Sequence, residues 1–207
     1  MSLSLLVSRA GHVFASASLL ILFLAGCGSE PVKKATPAVA EVPKPITGRS
    51  AFYKMFPAAR LWASDAQGIQ LTSITLQDVS GPPGTSGAWQ AIFSSASLRK
   101  AKTFTWSAID APGNLKQGVF ANDQTDFNGK LDQALPFFNQ ALRVDSDEAF
   151  KALGVPADKD EPINFQLQFT PRFPDLTWRV IWGTSVGTAK KSGFVDADTG
   201  KVFEKVR

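Results

Sequence analysis

One stretch of this 207-residue sequence is written twice. Ala88-Trp89-Gln90-Ala91-Ile92-Phe93-Ser94-Ser95-Ala96 and Thr177-Trp178-Arg179-Val180-Ile181-Trp182-Gly183-Thr184-Ser185 share one register. It reads tryptophan, polar, small apolar, isoleucine, aromatic, then small and hydroxyl residues, at an offset of 89 (Trp89 to Trp178). A chain that repeats itself buries each copy in the same way, so the repeat limits the fold to two equivalent units. The register continues through a basic turn in each copy: Arg99-Lys100-Ala101-Lys102 in the first and Lys190-Lys191 in the second. A strand follows each turn, over 103–109 and 192–197. Each then ends in a Gly-containing turn, Ala111-Pro112-Gly113-Asn114 or Asp198-Thr199-Gly200, with a last short strand over 115–120 or 201–206.

Upstream, residues 69–76 and 163–169 alternate apolar and polar, as half-buried strands do. Each is preceded by a helical pattern. In the first copy Phe52, Met55, Phe56, Ala59 and Trp62 fall on one face, and Pro57 interrupts or kinks that helix. In the second, Asp145 as N-cap and Glu148 at N3 form a capping box. Ala149, Phe150 and Leu153 supply the buried face there, and Gly154 and Pro156 stop the helix. Each copy is thus a helix followed by an antiparallel meander of about four strands. The helix is the nearest cover for the meander's apolar face. Copies of roughly 70 residues are marginal alone, so a shared core or a continuous sheet is expected. The class is α+β. The copies occupy 49–120 and 145–207, with a connecting insert over 121–144.

The second copy resembles the PepSY domain. The resemblance rests on the capped helix from Asp145 to Leu153, on Thr177-Trp178-Arg179-Val180-Ile181-Trp182, and on Phe194-Val195-Asp196-Ala197-Asp198-Thr199-Gly200-Lys201-Val202. The last stretch is the most specific: a valine-aspartate strand, a threonine-glycine turn with Gly200 at positive φ, then a new strand. The first copy lacks that turn. The resemblance implies a PepSY- or cystatin-like arrangement and a non-catalytic module of the bacterial envelope. Such modules also occur in peptidase propeptides. It carries over no catalytic residue.

The N-terminus reads as an export signal. Arg9 gives a positive start, residues 13–24 form an apolar run, and Leu24-Ala25-Gly26-Cys27 matches a lipobox. The run is short for a span, which needs about 20 residues. Cleavage after residue 26 would leave Cys27 to take the lipid, and several acyl chains make such anchoring stable. Gly28 in place of aspartate points to the periplasmic side of an outer membrane, if the source has two membranes. The competing reading is an uncleaved anchor helix. Residues 27–48, with Pro31, Pro37, Pro43 and Pro45, read as the lipidated cysteine and a tether.

The composition excludes several function classes. The single histidine, His12, and the single cysteine, Cys27, leave the mature domain without a Ser-His-Asp triad, a Cys-His pair or an ordinary zinc site. The 22 basic residues less Arg9 leave 21 against 18 acidic ones, too small an excess for nucleic acid. No cofactor motif is present. A calcium loop around Asp126, Asn128 and Gly129 lacks its ends, because Gln124 and Leu135 stand where ligands are needed. An Asn-Gly turn is the simpler reading. The clusters Asp145, Asp147, Glu148 and Asp158, Asp160, Glu161, and the pair Ser97 and Lys100, are the remaining catalytic candidates. They are more simply a helix cap, a solvated turn and neighbours in sequence. Trp89, Trp178 and Trp182 are either core or an aromatic floor for a peptide or glycan. Lys100, Lys102, Lys190 and Lys191 would lie on equivalent hairpin tips, solvated or facing an anionic surface. The expectation is a membrane-anchored, non-catalytic module binding a peptidase, another envelope protein or a polymer. A carboxylate or Ser-Lys hydrolase and a structural subunit are the alternatives.

Overall fold

Alternating apolar residues shape the strands of a sheet, and a computed structural model describes residues 43–154, 162–185, 187 and 189–204. The signal segment, Cys27, the tether as far as residue 42, Pro156 and the cluster Asp158, Asp160, Glu161 lie outside the described residues. The elements run β1 (Ile46–Thr47), α1 (Gly48–Trp62), β2 (Gln67–Ile74), β3 (Thr85–Ser86), β4 (Ala88–Ser95), β5 (Lys100–Ser107) and β6 (Gly118–Asp126). A 3-10 turn (Asn139–Ala141) leads to α2 (Ser146–Ala152), then β7 (Ile163–Gln168), β8 (Thr177–Trp182), β9 (Lys191–Asp196) and β10 (Val202–Glu204). Among the described residues, two α-helices and one large antiparallel sheet give an α+β fold, as expected.

The sheet holds eight strands in the order β10-β9-β8-β7-β2-β4-β5-β6. Four-strand runs on either side meet at β2 and β7, through the pairs Gln70–Gln168, Leu71–Leu167 and Thr72–Gln166. Two neighbouring rows across the strands show how alternation sorts the faces. One row reads Ala121, Phe104, Ala91, Leu71, Leu167, Trp178, Val195, Val202. It faces the helices, and with Ala51, Phe52, Met55 and Ala59 of α1 and Ala149 of α2 it forms the main core. The next row reads Phe120, Thr105, Gln90, Thr72, Gln166, Arg179, Phe194, Glu204 and lies on the opposite, open face. The two faces of this antiparallel sheet differ because only one is covered by helices. A small second cluster covers one corner of the open face: Ile69, Ile92 and Ala101 under Phe127, Leu131 and Ala134.

The helix N-termini meet at the centre. Trp89 donates its indole N–H to Ile46 O at 2.9 Å, and Trp178 donates to Val144 O at 2.9 Å. Ile46 and Val144 each lie two residues before a helix. The two rings are edge-to-face with centroids 6.4 Å apart. Gly48 sits against both, where a Cβ would lie 2.5 Å from Trp178 Cη2 and 3.0 Å from Trp89 Cη2. The first amides of α1 are capped from the other helix: Gly48 N–H donates to Ser146 Oγ and Arg49 N–H to Asp145 Oδ1, both at 2.8 Å. Orphan donors at a helix start need such acceptors.

Several expected boundaries shift. Ile46–Thr47 already pairs with Thr85–Ser86, so the folded part begins before Arg49. Pro57 does not interrupt α1, which runs from Gly48 to Trp62 with Pro57 inside it. The expected turn at Lys100 and Lys102 is strand instead. Arg99, at φ 52, makes the tight turn and lets β5 start at Lys100. The last strand of the first half is Gly118–Asp126, so residues 121–126 belong to the sheet rather than to the insert. The capping box at Asp145 and Glu148 is present, as is positive φ at Gly200 (φ 76). Among the described residues, no helix is long and apolar enough to cross a membrane.

Candidate binding site

The open face carries a groove at the end of the sheet that β6 closes. Its volume is about 770 Å³, within the range of ligand clefts. Gln90, Thr103 and Thr105 line it from β4 and β5, and Phe120 and Asp123 from β6. Pro112, Asn114 and Leu115 of the β5–β6 connection line it too. That connection is held by its own chemistry. Gly113 and Asn114 adopt positive φ (83 and 64), a conformation open to Gly and Asn. Ala111 N–H donates to Leu115 O at 3.0 Å, Asp110 Oδ1 accepts from Gln117 N–H at 2.8 Å, and Leu115 is buried. Thr105 is 5% exposed, and among the described residues its hydroxyl has no hydrogen-bond partner. A buried hydroxyl left unpaired costs about 1–3 kcal/mol.

Beside the groove runs a sheet edge. β6 is nine residues long and almost wholly exposed. Among the described residues it pairs with β5 alone and ends the strand order. Val119 and Phe120 are each 39% exposed. A register shift opposite Lys102 and Phe104, with Asp123 and Asp126 in the strand, tempers the edge against indiscriminate pairing. At the opposite edge the described part of β10, Val202–Glu204, pairs with an irregular register.

The sequence candidates fare differently. Trp89, Trp178 and Trp182 are fully buried, which corrects the reading of an aromatic floor. Register puts all three on the helix-facing side, where Trp182 packs on Phe150 with centroids 6.0 Å apart. The four lysines do not form one surface. β4 and β8 run in opposite directions, so the turns that follow them emerge at opposite ends of the sheet. Lys100 and Lys102 sit in β5 beside one turn; Lys190, exposed, and Lys191, which starts β9, sit at the other. Lys100 Nζ lies 2.6 Å from Asp126 Oδ1, and this hydrogen bond, with the charge, pulls the Asp126 carboxyl below its ordinary value. Lys191 Nζ lies 5.3 Å from the Trp182 ring centroid.

The remaining candidates serve turns and caps. Asp126 faces Lys100, and Gly129 turns the chain at φ 100. Among the described residues, no group of three His, Cys, Asp or Glu side chains is placed to hold a metal. Asp145 and Glu148 cap α2, while Asp147 pairs with Lys151 at 2.7 Å. Asp196 accepts from Asp198 N–H at 2.8 Å and from Thr199 Oγ1 at 2.7 Å, the hydrogen bonding of a turn.

Ser97 bonds to Ser95 and Asp65 rather than to Lys100. Ser95 Oγ donates to Asp65 Oδ1 at 2.7 Å, Ser97 N–H donates to Asp65 Oδ2 at 2.8 Å, and the two serine hydroxyls lie 3.1 Å apart. The Ser95 hydroxyl, then the Ser97 amide, hold the Asp65 carboxyl at about 2. So acidic a carboxyl is a poor general base, and the network clamps the β4–β5 turn. Sequence reasoning found neither this network nor the groove. Gln90, Thr103 and Thr105 are ordinary strand residues, and only strand order shows which face they line. Compared with family models, with curated proteins and with solved structures, the chain matches none.

Proposed function

We propose that this chain is an exported protein, lipidated at Cys27 and held on a membrane, whose folded part is a non-catalytic tandem PepSY-like module. Its role is to accept an extended segment of another envelope protein along β6, with one side chain of that segment in the groove above β4 and β5. The observation that carries this is the free nine-residue edge of β6 beside a groove with an unpaired buried hydroxyl at Thr105. An added strand gains affinity from main-chain hydrogen bonds and specificity from pockets for alternate side chains. Phe120 and Leu115 give the groove an apolar wall, while Gln90, Thr103, Thr105 and Asn114 give it neutral polar groups. Asp123 on its rim favours a segment with a basic residue next to the one inserted. The tandem reading is supported by the matched roles of Trp89 and Trp178. Each lies on the second strand of a four-strand run, with its indole N–H on the carbonyl two residues before a helix. The anchor reading is supported by Leu24-Ala25-Gly26-Cys27.

Photoreactive residues at Val119 and Asp123, and as controls at Lys190 and Lys201, test the reading in the native envelope. The β6 positions should capture one protein, with both adducts mapping to the same short segment. Capture from Lys190 or Lys201 with none from β6 would overturn it.

A further inference from the structure

Across the seam from the groove, the open-face row continues through Gln166 to Arg179, Phe194 and Glu204. Here the connection between β7 and β8 folds over the sheet. Phe173 packs on Phe194 and Phe203 with centroids 5.0 and 5.2 Å apart. Arg172 lies over the same rings, its Cζ 4.7 Å from the Phe194 centroid and 5.1 Å from the Phe173 centroid. One of its amino groups reaches both Glu204 oxygens, at 2.7 and 2.8 Å, so the charge of Arg172 is matched.

Arg179 is not matched. Its Cζ lies 5.5 Å from the Phe194 centroid, and its buried Nε has no hydrogen-bond partner among the described residues. Among the described residues no carboxylate pairs with it. The nearest buried carboxylate along the strand ladder, Asp196, is committed to its own turn. Partial burial, then the charge of Arg172, lowers the pKa of Arg179. Beside it is a cavity of about 80 Å³ bordered by Gln168, Thr170, Thr177 and Phe194. That is room for a few waters, or for one carboxylate. A half-buried guanidinium without an acidic partner keeps donors to spare, and a planar anion answers its fork geometry best.

We propose that this cavity is a carboxylate-binding site, with the guanidinium of Arg179 as its main donor. The Phe194 ring positions that guanidinium. The site is independent of the β6 edge. The ligand chemistry is one carboxylate group, carried by a free small acid or by an acidic side chain or C-terminus of a polypeptide.

The test uses the full chain in detergent micelles, labelled with 15N-arginine, and follows the side-chain Nε–H resonances. Sodium acetate is titrated against sodium chloride at matched ionic strength, then inorganic phosphate, then a short peptide ending in a free carboxylate and its C-terminal amide. The Arg179 resonance should shift and saturate with acetate but not with chloride. Arg179→Lys should weaken acetate binding, read on the amides of Thr170 and Thr177, by about tenfold or more, because lysine lacks the planar fork. Tighter binding of the peptide acid than of acetate, lost in the amide, would assign the carboxylate to a polypeptide; equal binding would assign it to a free acid. No saturable shift, an equal response to chloride, or a stronger response to phosphate than to both carboxylates would overturn the proposal.

Discussion

Replacing Gly48 with alanine tests how tightly the helix N-termini are locked. In an open helix, Gly→Ala is favourable by about 0.5–1 kcal/mol. Here the new Cβ would lie 2.5 Å from Trp178 Cη2 and 3.0 and 3.1 Å from Trp89 Cη2 and Cζ3. Carbon atoms in contact prefer about 3.5–4.0 Å. The rings cannot simply swing aside, because both are fully buried and each indole N–H is tied to a backbone carbonyl at 2.9 Å. Breaking such a bond costs about 1 kcal/mol or more, and overpacking a filled core costs about 1–3 kcal/mol. The steric term exceeds the helix gain, so Gly48→Ala should destabilise the fold by about 1–2 kcal/mol. For a domain of this size that lowers Tm by about 2–4 °C per kcal/mol. Urea denaturation followed by tryptophan fluorescence would read it as a lower midpoint with an unchanged slope. A stability equal to or above the parent would refute the reasoning. Gly113→Ala is the useful contrast: nothing lies within 4 Å of its added Cβ, so only its φ of 83° opposes the change.

Three other outcomes follow from the structure. Ser146→Ala removes the acceptor of Gly48 N–H and the donor to Gly84 O, both buried, and should cost about 1–3 kcal/mol in the same denaturation assay. Asp65 has a folded-state pKa of about 2 against an ordinary 3.8, so the unfolded chain binds its proton first as pH falls. Its contribution is therefore complete above about 3.8 and lost as pH drops through about 2. Asp65→Asn should flatten that part of the stability–pH profile, measured by urea midpoints between pH 2 and 5. Cys27→Ser should move the mature protein from the membrane to the non-membrane fraction on cell fractionation, and unchanged partitioning would contradict lipidation there.

Much of the local structure is legible in the sequence because the signals are local. The alternation in 69–74 and 163–168 gives β2 and β7, Asp145 with Glu148 gives the start of α2, and Gly200 gives the last hairpin. β6 reads only in part as strand, since Ala121-Asn122-Asp123-Gln124-Thr125-Asp126 has no apolar face to alternate. An edge strand with little buried surface leaves little hydrophobic signal. The placement of Trp89, Trp178 and Trp182 depends on which face the helices cover, and that is a property of the assembled sheet. The separation of Lys100 and Lys102 from Lys190 and Lys191 depends on β2 pairing with β7 head to tail. Pro57 within α1 is a tertiary override, because Phe52, Met55 and Ala59 on the buried face hold the helix through it. The groove and the unpaired Thr105 hydroxyl are consequences of register and of the folded β5–β6 connection, both non-local.

The claim that β6 receives a strand is tested most directly by amide hydrogen exchange of the full chain, first purified in detergent and then in its native membranes. In the purified chain, the amides of 118–126 that point away from β5 should exchange fast, because nothing described pairs with them. In the membranes they should slow by about tenfold or more as an added strand takes up their hydrogen bonds, while the amides of β10 stay unchanged. Equal exchange along β6 in both states, with protection appearing instead around Lys190 and Lys191, would contradict the account.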